Sequence, residues 1–206
     1  MMAYPLKLNI SLGGWRLFLK RKTDPAFLKF AEKIFQRDKH TCQFCGFQAK
    51  DYQEIVNLDQ NYLNNKMSNL TTACCFCAQC FFIESVSVGK YGGGTLIYLP
   101  EINQVTLNSF CHVLFCAVSN DTGYKNSAQS IYRSFKMRAQ IVEEEWGEGV
   151  SNPRIFGELY LDTAGQNFTL LEKMLANIRL LPSRGGFKTQ VDHWAATALK
   201  ELAGEN

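Results

Sequence analysis

The sequence predicts an α+β protein: a loop-rich, zinc-stapled module behind an N-terminal hairpin, followed by a mainly helical C-terminal half. Three observations carry that expectation. Cysteines fall into two knuckles, Cys42 with Cys45 and Cys74 with Cys77, each pair spaced as CxxC. Apolar residues alternate ahead of the first knuckle, as in a half-buried strand. Beyond residue 100 the apolar residues recur with a helical period.

The elements follow in chain order. Leu6, Leu8, Ile10 and Leu12 alternate with other residues, and Gly13-Gly14 turns the chain into Trp15–Leu19, so residues 6–19 read as a hairpin. Asp24 before Pro25 marks a helix start, with Asp as N-cap and Pro in the first turn. Phe27, Phe30, Ala31 and Ile34 give that helix one buried face up to Arg37. Residues 38–82 hold both knuckles and are rich in loops. Gly92-Gly93-Gly94 then leads into the β-preferring run Thr95–Leu99, which Pro100 ends.

Gln104–Val118 is apolar almost all round, as a central core helix should be. Ser127–Trp146 sets Ile131, Phe135 and Ile141 beside Arg133, Lys136, Arg138 and Glu143–Glu145, the pattern of one amphipathic helix. Shorter helices are predicted over Asn152–Leu161, Phe168–Ile178 and Phe187–Ala203, parted by Gly, Pro and Ser. With no repeat or low-complexity linker, residues 1–206 read as one domain, a zinc module over 24–82 with a helical part over 100–206 packed on it.

Composition narrows the function. A chain of 206 residues, 46% hydrophobic and 20% charged, is long enough for one sizeable core. A net charge of +3 neither requires nor forbids a nucleic-acid partner. The longest apolar run, Phe110–Val118, is too short to span a bilayer and is broken by His112. The reading is a cytosolic protein, where disulfides are rare, so eight cysteines call for another role. Six of them cluster at 42, 45, 74, 75, 77 and 80, and metal binding supplies that role. Four thiolates aimed at one point favour a single structural zinc ion. The second knuckle admits either Cys74 with Cys77 or Cys77 with Cys80.

The residues between the knuckles carry a resemblance. Gln36-Arg37-Asp38 ahead of the first knuckle, and the run Val56-Asn57-Leu58-Asp59-Gln60-Asn61 through Asn64-Asn65-Lys66 to Asn69-Leu70 ahead of the second, resemble the zinc-knuckle HNH (ββα-metal) endonuclease family. Asn69-Leu70 stands before Cys74 as in that family, so the resemblance selects Cys42, Cys45, Cys74 and Cys77 as the metal ligands. It also implies a ββα fold. The departures fall at the reactive positions. Val56-Asn57 stands where the family has a metal-ligating acid or His and then its general-base His, and Ala78 where it has a further ligand. Valine cannot ligate and an amide cannot accept a proton near neutral pH, so the resemblance implies a retained fold without catalysis. An HNH-type metal-dependent endonuclease with a replacement base, or a zinc-dependent nucleic-acid-binding module, are the competing readings.

A wider resemblance covers nearly the whole chain. Gly14–Leu17, Ile34–Asp38, Cys74–Phe82, Tyr91–Pro100 and Asn177–Ser183 are similar to the DotN (IcmJ) family of the Dot/Icm type IVB secretion system. That resemblance implies a non-catalytic subunit of the coupling complex, bound to the C-terminal extension of the inner-membrane ATPase DotL. It implies the same assembly as the IcmS–IcmW adaptors, effector recruitment, and a cytoplasmic location beside the membrane through the partner. Fifteen Phe, eight Tyr and three Trp give material for a peptide groove. Trp15, Phe81, Phe82 and Trp194 are candidates for it, though each is as readily core.

Other signals read as structural. Gly92-Gly93-Gly94 lacks the Lys and helix start of a phosphate loop and is a turn. Cys111 and His112 are adjacent on an apolar helix and do not face one another, which excludes a nucleophile pair. Cys116 reads as a buried thiol, His40 as solvent-exposed, and His193 as the edge of the last helix. Arg16, Lys20, Arg21 and Lys22 read as solvated strand ends.

Overall fold

A computed structural model describes residues 4–11, 13–164 and 167–204. Leu6, Leu8 and Ile10 are buried and alternate as expected, but the segment is an extended strap rather than a strand. It binds through the backbone of Asn9, which donates to Cys80 O at 2.8 Å and accepts from the Ile83 amide at 3.1 Å. Leu12 lies outside the described residues. The second arm of the predicted hairpin is a helix, α1 (Gly14–Arg21). Its buried residues Gly14, Trp15, Phe18 and Arg21 recur at helical spacing, and that period overrides the Gly-Gly turn signal. Arg21 is therefore interior, not a solvated strand end.

Helix α2 (Pro25–Arg37) begins as predicted, with the Asp24 carboxylate accepting from the amides of Ala26 and Phe27. Strands β1 (Gln53–Asn57) and β2 (Leu70–Cys74) pair antiparallel, Ile55 opposite Thr72 and Asn57 opposite Leu70. The short helix α3 (Cys75–Ala78) follows directly, completing a ββα unit. Helix α2 covers β2 through a small cluster of Ala31, Ile34, Ile55 and Leu70.

The C-terminal half is helical with one insertion. Strand β3 (Gly94–Tyr98) precedes α4 (Gln104–Ser119), which packs against the later helices and is a core helix as expected. The single predicted helix over 127–146 is two, α5 (Lys125–Met137) and α6 (Ala139–Trp146), broken at Arg138. The break lets the Arg138 carbonyl accept from the Tyr98 amide and its side chain pair with Glu101 at 2.8 Å. Helices α7 (Pro153–Ala164) and α8 (Phe168–Leu175) follow, and Ile178, expected as the end of a helix, opens strand β4 (Ile178–Pro182) instead. Helix α9 (Lys188–Ala203) closes the chain.

β4 pairs antiparallel with β3, Leu96 opposite Leu180, so residues 94–98 acquire partners distant in sequence, down to Ile178 and up to Pro182. Its outer edge is blunted by Gln104, whose side chain exchanges two hydrogen bonds of 2.8 Å with the Leu180 backbone. One hydrophobic cluster runs from Leu6 and Trp15 through Phe76 and Phe82 to Leu107, Leu180 and Val191. Trp15, Phe81 and Phe82 belong to that core, which removes them as groove residues.

Candidate metal centre

Each knuckle is built by local geometry. In the first, Gly46 at φ +77 reverses the chain and its amide donates to Cys42 O at 2.9 Å, a backbone state that a side chain would strain. This turn aims Cys42 and Cys45 the same way. In the second, Cys74 ends β2 and Cys77 lies one turn on, in α3. Asp38 holds the two knuckles together. Its carboxylate accepts from the Thr72 amide at 2.9 Å, and the Thr72 carbonyl accepts from the Gln43 amide at 2.9 Å. Arg37 donates to Met67 O and Leu70 O at 2.9 and 2.7 Å, which gives the Gln36-Arg37-Asp38 run its structural role.

The Sγ atoms of Cys42, Cys45, Cys74 and Cys77 all lie within 4.8 Å of one another. Cys45 and Cys74 are 3.6 Å apart, against the roughly 3.8 Å separation that a tetrahedral zinc with 2.3 Å bonds imposes. The donor set therefore fits a tetrahedral thiophilic ion. Cys75 and Cys80 lie outside the cluster, and Cys80 donates its thiol to Phe76 O. His40 is also outside it and stacks on Phe35.

Electrostatics point the same way. Burial raises the Cys42 thiol, but hydrogen bonds from Cys45, Cys74 and Cys77 outweigh it and hold that group far below the ordinary thiol range. Burial, reinforced by hydrogen bonds with Cys42 and Cys45, pushes Cys74 and Cys77 well up. Four thiolates need the charge of a cation.

Helix α4 lies over the cluster, and its polar residues were not legible as part of the site. His112 places Nε2 3.3 Å from Cys74 Sγ. Its ring is clasped between Phe47 and Phe76 at centroid distances of 3.7 and 4.2 Å. Burial pushes this imidazole down to about 3, so it stands neutral. Asn108 sets Nδ2 3.3 Å from Cys77 Sγ, and Ser109 donates to Cys45 O at 3.0 Å. Gln104, Asn108 and His112 recur every four residues along a core helix, and that polar stripe was the available signal. Buried polar groups need partners: Asn108 and His112 meet cysteine sulfur, and Gln104 meets Asn108 and the Leu180 backbone. Trp194 of α9 meets Phe47 and His112 edge-on and lines an open cavity of about 600 Å³ with them. Cys116 is half-buried on that cavity, not fully buried.

The face of the ββα unit that carries Val56 and Asn57 is filled. Val56 and Asn57 are both 0% exposed. Asn57 donates to the carbonyls of Asn61 and Asn64 at 2.8 Å each and accepts from Arg21. The Arg21 guanidinium also donates to Ile55 O and sits over the rings of Phe18, Phe27 and Tyr62. Burial lowers Arg21 to about 10, which leaves it charged at neutral pH. Asp59 gathers the loop by accepting from Asn64 and Asn69 side chains at 2.6 and 2.8 Å. Ala78 is buried in α3.

No family model matches the chain. Over 198 residues it is 65% identical to the type 4 apparatus protein DotN of Legionella pneumophila subsp. pneumophila (strain Philadelphia 1), covering 96% of this chain and 92% of that one. Identity at that level over nearly the full length of both proteins means that the chain belongs to the DotN family of type IV apparatus proteins.

Proposed function

We propose that the chain is a non-catalytic, zinc-stapled subunit of a type IVB secretion coupling complex. It binds the C-terminal extension of the coupling ATPase DotL on the cytoplasmic side and, beside the IcmS–IcmW adaptors, helps recruit effectors for export. The near full-length similarity to DotN carries the apparatus role. The four converging cysteines support one structural zinc held by Cys42, Cys45, Cys74 and Cys77. Zinc bound there supplies folding free energy, not a reactive water, because four thiolates leave no open position. Loss of catalysis is supported at position 57, where a buried amide is spent on Asn61, Asn64 and Arg21. None of the helices among the described residues is long and apolar enough to cross a membrane, which accords with attachment through a partner.

The test is a pull-down and calorimetric titration of the zinc-loaded protein against segments of the DotL extension, run beside a DNA cleavage assay with Mg²⁺ and Mn²⁺. One-to-one binding at micromolar affinity or tighter, without cleavage, is expected. Absence of binding to every segment overturns the partner assignment, and metal-dependent cleavage overturns the non-catalytic one.

A further inference from the structure

Helix α4 carries Gln104, Asn108, Ser109 and His112 along the face that meets the cysteines, and the hydrogen bonds of Gln104 fix the orientation of Asn108. Gln104 accepts the Leu180 amide through Oε1 at 2.8 Å, so its Nε2 is the donor to Leu180 O at 2.8 Å and to Asn108 Oδ1 at 2.9 Å. Asn108 must then turn its oxygen to Gln104 and its Nδ2 to sulfur. That nitrogen lies 3.3 Å from Cys77 Sγ and 3.9 Å from Cys80 Sγ. Asn108 is 0% exposed, so the amide has no water to exchange with. His112 cannot swing away, because Phe47 and Phe76 hold both faces of its ring. Among the described residues, the side-chain nitrogens from outside the cluster within hydrogen-bond reach of its four sulfurs are these two.

Four thiolates around a divalent ion retain two negative charges in a buried site. N–H donors aimed at the sulfurs spread that charge and make each thiolate less basic and slower to leave the metal. We infer that Asn108 and His112 are positioning residues of the metal centre, donating N–H···S hydrogen bonds to the Cys77 and Cys74 thiolates. Through Gln104, Asn108 also ties the metal to the β3–β4 sheet, joining the knuckle module to the helical half. The inference rests on the zinc reading above and goes beyond it by assigning the shell around the ligands.

The experiment compares the wild type with His112→Phe, which keeps the stack and removes the donor, Asn108→Leu, and His112→Gln, whose Nε2 restores a donor at similar reach. Zinc content is measured first, then the rate of zinc transfer to a chromogenic chelator and the thiolate-to-cobalt charge-transfer band of the Co²⁺-substituted protein. The expected result is one zinc in every variant, release about tenfold or more faster for His112→Phe and Asn108→Leu, and a cobalt band moved to lower energy. His112→Gln should return both readouts toward wild type. Zinc-loaded variants with wild-type release and band would overturn the inference while leaving the zinc reading intact. A wild type without metal would overturn both. If the variants fail to fold, the ¹¹³Cd-substituted, ¹⁵N-labelled wild type decides by NMR: scalar coupling between ¹¹³Cd and the His112 or Asn108 N–H proton supports the inference, and its absence at both overturns it.

Discussion

Arg21, at the end of α1, donates to the side-chain oxygen of Asn57, at the end of β1, and both are sealed from solvent. The pair joins the ββα unit to a helix outside it and occupies the space where the HNH resemblance places a water-activating base. Replacing Arg21 with Met leaves the Asn57 oxygen and Ile55 O without their charged donor and removes three cation–π contacts. A loss of about 3 kcal/mol is expected, read as a lower denaturant midpoint. Asn57→His should destabilise comparably and yield no cleavage with Mg²⁺ or Mn²⁺, because the ring would face a guanidinium. Cleavage by that variant would show that the site is one substitution from activity.

Cysteine substitutions separate ligands from bystanders. Cys42→Ser and Cys77→Ser should lose the metal and become insoluble or partner-deficient, since a structural zinc contributes on the order of 10 kcal/mol to folding. Cys75→Ser should keep one zinc, because Cys75 is outside the cluster although buried. Metal analysis of the three purified proteins checks this.

Glu84 gives a pH dependence. Burial pushes its carboxyl up to about 7, only partly offset by amides including that of Ser11. Its protonated form is favoured in the folded state, so the stability it contributes is fully present below the ordinary carboxyl range. That contribution is lost as pH rises through about 7, an effect of roughly 3 kcal/mol at most. Glu84→Gln should melt like wild type at pH 4 and higher than wild type at pH 8.

Gly157 makes the close approach of α7 to residues 83–85. A Cβ there would lie 2.6 Å from Glu84 Cα and 2.5 Å from its Cβ. Gly157→Ala should therefore cost about 1–3 kcal/mol despite the better helix propensity of alanine. Thermal melts at matched pH report it.

What was legible in the sequence is what local spacing encodes. The CxxC pairs and the Asp24-Pro25 helix start both act within a few residues, and each appears where the pattern puts it. Long-range partners were not legible. His112 and Cys74 are 38 positions apart, so a polar residue on an apolar helix gave no hint of which sulfur it meets. Ile178–Pro182 is rich in residues that suit a helix or a strand, and only the distant pairing with β3 decides between them. Arg21 looked like one of four solvated cations because its partners, Ile55 and Asn57, lie more than 30 residues on.

Native mass spectrometry of the chain mixed with the DotL C-terminal extension tests the account most directly. A one-to-one complex carrying one zinc ion, with the zinc retained after dialysis against a chelator, is the predicted result. A chain that forms no complex, or a complex free of zinc, would contradict it.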